Sequence, residues 1–553
     1  MRSLEDVLDE LGGMGKFQIL LVLLVESTEL FVGWSMLLMS FAGLVPDFQC
    51  VVSDSAVPEV FNSSRDGNYS LNHWTKHRGG NSGGLEMTSS TGNSSILNVC
   101  SVNGSSCSEY RFLGDSETVM SEWGLVCDFQ WVKEVINSVQ MAGVALGAVM
   151  AGHLSDSCGR KITLYGFNLY HIIVNVIAAF SSSWAMYIVM RFLTGVGGGA
   201  ILAVTFSFEV EFLPIKYRTL HSVLPTWALG VSVFALAAYF LENWWQLHLG
   251  YAICAAPSMI GWFFLPESPR FLALKGKLSE AMDVFHQIGK MNGRPVPKDI
   301  EKVLKGVRQN EKKQMGENKK YTYLDLFKTA PVAKASVICG LQWFTYSMIF
   351  YGLSYGVVSL SGNLYLNIFL MAVLELPLRL TTFHLNNKLG RKWATFGFYL
   401  LAAVPSLGVL LTHLLGPEGT KGTAIAVLCL LTKMFLGASW ATSQIWVAEL
   451  YPTTVRNLGY AWACFAARIG GIAAPFLINF EWMADASYVI MTVSLFVCTA
   501  LCFFLSETKG MVLSNSFVDH QVALEDLESS DTSADSNSPL NTPKNRDDTP
   551  SYL

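Results

Sequence analysis

Twelve times between residues 17 and 505 the chain runs for about twenty residues or more with almost no charge. A helix needs about 20 mostly apolar residues to cross the hydrocarbon core of a bilayer. In lipid a backbone satisfies its own polar groups only as a helix or a closed barrel. Runs of this length and uniform apolarity therefore predict helices, at roughly 17–45, 133–154, 162–182, 184–208, 219–240, 246–265, 332–355, 362–386, 393–415, 421–447, 457–478 and 485–505. The composition agrees, with 51% of the 553 residues hydrophobic and only 15% charged, the balance of an integral membrane protein. The expected fold class is an all-α membrane protein of twelve transmembrane helices.

The net charge of −5 gives no reason to invoke nucleic acid, because the basic residues sit in short connections between apolar runs. The opening MRSLEDVLDELGGMGKF carries four acids against two bases and lacks the layout and cleavage site of a signal peptide. The first apolar run is thus expected to stay as a helix. Four of the eleven cysteines, Cys50, Cys100, Cys107 and Cys127, fall in one long polar segment; four cysteines allow three pairings. The same segment holds Asn-x-Ser sequons at Asn62, Asn68, Asn93 and Asn103. It reads as an extracellular, glycosylated and disulfide-bonded loop.

The segment 266–330 carries fourteen Lys or Arg against eight Asp or Glu. Arg160, Lys161, Lys216, Arg218, Lys388, Arg391, Lys392 and Arg456 fall on its side of the membrane, and the opposite loops carry almost none. The positive-inside rule makes that side cytosolic, with both termini there and the sequons outside. The expected division is a cytosolic N-terminus 1–16, a six-helix bundle 17–265 including the extracellular loop 46–131, a cytosolic linker 266–331, a second bundle 332–505, and a disordered cytosolic tail 506–553. The tail ends Ser551-Tyr552-Leu553, the form of a C-terminal peptide that adds a strand to a PDZ-type sheet edge.

The chain also repeats. Glu211, Pro214 and Arg218 recur as Glu449, Pro452 and Arg456; Gly159-Arg160-Lys161 recurs as Gly390-Arg391-Lys392; and Pro266-Glu267 is echoed by Ser506-Glu507, all at offsets of roughly 235 residues. Parallel six-helix halves with the cargo held between them near mid-membrane are the architecture of major facilitator transporters.

The motifs GHLSDSCGRK (152–161), PESPR (266–270), LDLFKT (324–329) and AELYPTTVRNLG (448–459) resemble those of the organic anion, cation and zwitterion transporter family within that superfamily, most nearly its anion branch. The resemblance extends to the sequon-bearing loop and its four cysteines, and runs to about Lys509. Ser157 departs from it, since the family carries a base after the Asp. The resemblance implies a plasma-membrane carrier working by alternating access, as an exchanger or facilitative carrier, with a dicarboxylate as one form of counter-substrate. Asp156, Arg160, Glu211, Arg218, Glu267, Arg391, Glu449 and Arg456 are then expected to gate, through ion pairs that hold one conformation and break in the other.

Two bases are candidate substrate ligands. Arg468 is the sole charge of the run 458–477 and falls at its centre, where a guanidinium must face an internal partner or a wet cavity. The resemblance places it where anion-transporting and carnitine-type members match this chain and cation transporters carry an acid. Arg379 matches a Lys or Arg of the anion transporters, yet Glu375 stands at i−4 on the same helix face and offers it an internal partner. Two cations in one cavity favour an organic anion. Phe350, Tyr351 and Tyr355, with Trp440, Trp446 and Trp227 where relatives have pocket aromatics, would hold the cargo's apolar body. Against a simple anion reading stand Glu26 and Glu29, which neutralise an arginine, take up a proton or favour a cationic or zwitterionic cargo. The run Gly195 to Gly199 lacks the Lys-Ser/Thr of a phosphate loop and is expected to allow close helix packing. With no cofactor motif, no metal-ligand cluster and no nucleophile beside a base, the chain is expected not to be an enzyme. The alternatives are a carnitine-like zwitterion or cation carrier, and a non-transporting receptor or sensor with the same fold.

Overall fold

The computed structural model describes residues 4–51, 75–78, 85–88, 94–98, 100–102, 105–107, 109–114, 116–217, 224–317, 322–452, 455–478 and 484–509. The four sequon asparagines, Arg218 and Leu553 lie outside the described residues.

Twelve helices occupy the twelve expected runs. They are α1 (Lys16–Ala42, in three segments that break at Phe31 and Leu38), α2 (Trp131–Cys158), α3 (Arg160–Ala178), α4 (Trp184–Val210), α5 (Thr226–Phe240) and α6 (Trp244–Phe264), then α7 (Ala330–Tyr355), α8 (Leu364–Leu389), α9 (Arg391–Leu415), α10 (Glu418–Glu449), α11 (Arg456–Leu477) and α12 (Ala484–Phe504). Among the described residues nine helices are long and apolar enough to cross a membrane. The other three are α3 and α7, of 19 and 26 residues, and the apolar 15-residue α5.

Small residues set the closest packing. Gly143 and Gly147 of α2 face Phe192 and Val196 of α4, while Gly195 and Gly199 of α4 face Gln140 and Val144 of α2. A Cβ at any of the four would overlap a carbonyl oxygen of the facing helix, so the expected close approach is present and reciprocal.

The polar loop after α1 holds short antiparallel strands, β1 (Phe48–Val51), β2 (Thr75–Arg78), β3 (Leu85–Thr88), β4 (Ser94–Leu97), β5 (Ser101–Val102), β6 (Ser105–Ser106) and β7 (Glu109–Phe112), paired β1–β7, β2–β3–β4 and β5–β6. Of the three cysteine pairings open to the sequence, the structure has Cys50–Cys107 and Cys100–Cys127.

The linker between the halves is not a plain connection. It folds into helices Pro269–Lys275, Leu278–Asn292 and Ile300–Glu317. In the second, Ala281, Val284, Phe285 and Ile288 recur at helical spacing and are buried, the stripe of an amphipathic helix. That stripe shares a core with Leu4, Val7 and Leu8 of the N-terminal helix Leu4–Glu10. Asn292 fastens the assembly to α1: its Nδ2 donates to the Leu11 carbonyl and to Gln18 Oε1, each at 2.9 Å, and its Oδ1 accepts from the Phe17 N–H at 3.0 Å.

Candidate functional site

α11 is built to seat one large cation among small residues. Ala467, Gly470, Gly471 and Ala474 are buried around Arg468; Gly470 lies against the Phe344 carbonyl of α7, and Gly471 against Ser347 and Tyr351 of α7 and Met141 of α2. Arg468, half-buried, therefore stands on the seam between the two halves. Its side chain has Tyr351, Tyr460 and Cys464 as electrostatic neighbours. Among the described residues no carboxylate forms an ion pair with it.

From Tyr351 the rings run in a continuous path. Tyr351 contacts Trp227 at 6.5 Å, Tyr355 at 6.2 Å and Phe350 at 5.5 Å between centroids. Phe350 stacks on Tyr346 at 5.5 Å, and Tyr346 on Trp440 at 4.5 Å. Five of the six aromatics singled out with the two arginines are thus brought together, joined by Tyr346. Trp446 is not among them: its Nε1 donates to the Ser506 carbonyl at 3.0 Å, which anchors the segment after α12.

Arg379 arrives with its charge engaged, because Nη2 lies 3.1 Å from Oε1 of the buried Glu375. Both are electrostatic neighbours of Tyr346, which puts the pair beside the ring path. A third cation was not foreseen. Lys433 of α10 is only 4% exposed; its Nζ donates to Ser354 Oγ at 2.6 Å and lies 4.9 Å from the Phe350 centroid, with Glu375 as its electrostatic partner. The sign of it was a charge inside an apolar span, as for Arg468. A fourth, Arg191 of α4, is wholly buried and donates to the Ser35 carbonyl at 2.9 Å and to Gln140 Oε1. It belongs to the packed polar core of the first half, near His171 and His248. Glu26 is buried in α1, and Glu29 lies half-buried one turn further on. Arg468, Arg379 and Lys433 stand with Glu375 along the path, and Tyr355 has Arg191 and Glu134 as further electrostatic neighbours, four cations to two carboxylates.

At the linker-side helix ends the repeated motifs form two matching constellations. Arg160 pairs with Glu211 at 3.1 Å and with Asp156 at 3.0 Å; Arg391 pairs with Glu449 at 3.1 Å, and Arg456 is an electrostatic neighbour of Glu449. Burial raises the Glu211 carboxyl, with Arg160 pulling it back. Glu267 departs from the expected side-chain ion pair: it accepts from the backbone N–H groups of Arg160, Lys161 and Ser268 at 2.9, 3.2 and 2.9 Å. Glu507 does the same for Arg391 and Lys392 at 2.8 and 3.1 Å. Each carboxylate caps a helix N-terminus, where the dipole favours negative charge.

The halves touch mainly toward the other end. Ser40 Oγ donates to the Ser354 carbonyl at 3.2 Å and Ser138 Oγ to the Ile472 carbonyl at 2.7 Å, while Tyr365 packs on Phe41 and Tyr239 at 5.0 and 5.6 Å.

The profile of the family described as "Sugar (and other) transporter" matches residues 97–516. Rat solute carrier family 22 member 7 is 29% identical over 536 residues, 93% of this chain and 97% of the rat protein. Bovine solute carrier family 22 member 16 is 32% identical over 411 residues, 72% of this chain and 70% of the bovine one. Mouse solute carrier family 22 member 4 is 28% identical over 529 residues, covering 93% of this chain and 94% of its own. Among solved structures, the proton:xylose symporter XylE bound to 6-bromo-6-deoxy-D-glucose superposes with a TM-score of 0.60 at 14% identity, covering 90% of this chain and 98% of that one.

Proposed function

The chain belongs to the sugar (and other) transporter family and to solute carrier family 22, and so is a multi-pass membrane transporter of small organic ions and not an enzyme; from that premise we propose that its cargo is small organic anions, carboxylates above all. The observation that carries this is Arg468, on the seam between the halves and beside a tyrosine, with no carboxylate paired to it among the described residues. A half-buried guanidinium beside aromatic rings suits a carboxylate, which it binds by charge-assisted hydrogen bonds. Lys433 and the Arg379–Glu375 pair keep the surroundings positive, and the rings from Trp227 to Trp440 offer flat apolar faces to the rest of the cargo.

The carrier works at the plasma membrane by alternating access, with both termini and the linker in the cytosol, as the basic loops support. The contacts between the halves fit a conformation closed to the outside, with Asp156, Arg160, Glu211, Glu267, Arg391, Glu449 and Arg456 as gating residues. Counter-transport of a dicarboxylate supplies one driving force, and the C-terminal Leu553 recruits a PDZ-type partner.

Uptake of labelled anions, carnitine and a quaternary amine by cells expressing the chain tests the reading. Saturable anion uptake that is lost in Arg468→Ala at unchanged surface expression is the expected result. Cation or carnitine uptake indifferent to that substitution would overturn it.

A further inference from the structure

Helices α7 and α12 leave between them a cleft of about 380 Å³. Leu341 and Thr345 line it from α7 and Val489, Val493 and Val497 from α12. All except Thr345 are exposed apolar side chains, and on membrane-spanning helices an exposed apolar side chain faces hydrocarbon. The one serine in the wall, Ser494, turns its hydroxyl onto the Ile490 carbonyl, and Thr345 is buried, so the slot offers an occupant an almost wholly apolar wall.

Toward the linker end the same two helices carry charge and aromatic rings. Lys334 lies seven residues before Leu341, and Phe504 seven after Val497, each about 10 Å along its helix. Lys334 Nζ stands 6.0 Å from the Phe504 ring. Lys392, at the start of α9, places its Nζ 5.8 Å from the Trp393 ring and 3.3 Å from the Phe503 carbonyl. Trp393, Phe503 and Phe504 are exposed. Among the described residues neither lysine forms an ion pair, and Glu507 is held by backbone N–H groups, those of Arg391 and Lys392 among them.

We propose that this face holds one anionic phospholipid of the linker-side leaflet. Its phosphate and acidic headgroup lie between Lys334 and Lys392, and one acyl chain rises along Leu341 and Val497 into the cleft. The dimensions agree: half a hydrocarbon core is about 15 Å, and Thr345, eleven residues beyond Lys334, is about 16 Å from it along the helix. Two cations without carboxylate partners select an anionic headgroup over a zwitterionic one, and the apolar slot selects a lipid over free phosphate. The naming of the leaflet rests on the proposed orientation; the site itself does not.

Native mass spectrometry of the full chain in detergent, titrated with phosphatidylserine and phosphatidylcholine, reads the site without a second compartment. It therefore fails only if the site is wrong, not if the cargo or the orientation is. One phosphatidylserine should persist at concentrations where phosphatidylcholine is lost. Lys334→Gln and Lys392→Gln should each weaken its retention about fivefold. Thr345→Trp, which fills the slot and leaves both lysines, should weaken it as well, and soluble glycerophosphoserine should not compete. Thermal unfolding shows whether each variant is folded. Equal retention by the folded double lysine variant, indifference to Thr345→Trp, or displacement by glycerophosphoserine would each overturn the proposal.

Discussion

Arg468 and Lys433 are both cations inside an apolar span, and the energetics of charge in hydrocarbon apply to them equally. Their surroundings make their substitutions differ. Arg468 has Tyr351 as an electrostatic neighbour and no carboxylate partner among the described residues, so on the proposed reading Arg468→Ala removes the hydrogen bonds meant for the cargo. Bonds to charged groups contribute about 1.5–3 kcal/mol, and kcat/KM for anion uptake should fall roughly 10- to 100-fold, measured against surface-labelled protein. Lys433→Met should cut uptake too, yet leave the fold intact. Ser354 Oγ, which accepts from Lys433, still donates to the Phe350 carbonyl at 2.6 Å, and Glu375 keeps its ion pair with Arg379, so each retains a partner. An unfolding temperature well below wild type in Lys433→Met would show that the lysine is structural. The sequence makes the cost of both charges visible, as it does the i−4 placement of Glu375 relative to Arg379. It does not show which helix face each cation occupies relative to the other bundle, because that depends on how α10 and α11 pack.

The element ends show a similar limit. The repeated Gly-Arg-Lys and Glu motifs announce two equivalent charged corners, but a carboxylate that pairs with a lysine and one that caps a helix leave the same trace in a sequence. The glycines separate them. Gly159 and Gly390 have φ of +117° and +97°, a region side chains rarely adopt, and a Cβ on either would run into the carboxylate of Glu267 or Glu507. Gly390→Ala should therefore destabilise the protein by about 1–3 kcal/mol from backbone strain alone, visible as a lowered unfolding temperature in detergent. Glu507→Gln keeps one acceptor oxygen, so it loses the bond from a backbone N–H on the other, about 0.5–1.5 kcal/mol, together with the interaction with the dipole, about 0.3–1 kcal/mol near a helix terminus. Lys392→Gln is the control: if it, which leaves the backbone N–H groups in place, destabilises as much as Glu507→Gln, the carboxylate acts through a cationic side chain and not through the backbone.

At the scale of the molecule the twelve-helix plan is legible because bilayer thickness imposes run length, and the two halves because their loop motifs recur in register. Which side is closed is not legible, since one sequence must serve every state of the cycle and its periodicity is the same in each. The contacts decide it. Tyr365 of α8 packs between Phe41 of α1 and Tyr239 of α5, and Ser40 and Ser138 bond across the seam on the same side. A carrier that rocks one bundle against the other must break these contacts to admit cargo from that side. Phe41→Cys with Tyr365→Cys, joined by a short bismaleimide, should therefore hold the protein in the present conformation and abolish uptake. Each single cysteine variant, treated in the same way, should continue to transport. Because the contact is closed in this state, cargo bound from the opposite side should leave it in place, whereas cargo that draws the molecule to the other state should slow the cross-link. Full uptake after complete cross-linking would mean that these helices do not separate during transport, and the rocking mechanism would have to be abandoned in favour of a smaller local gate.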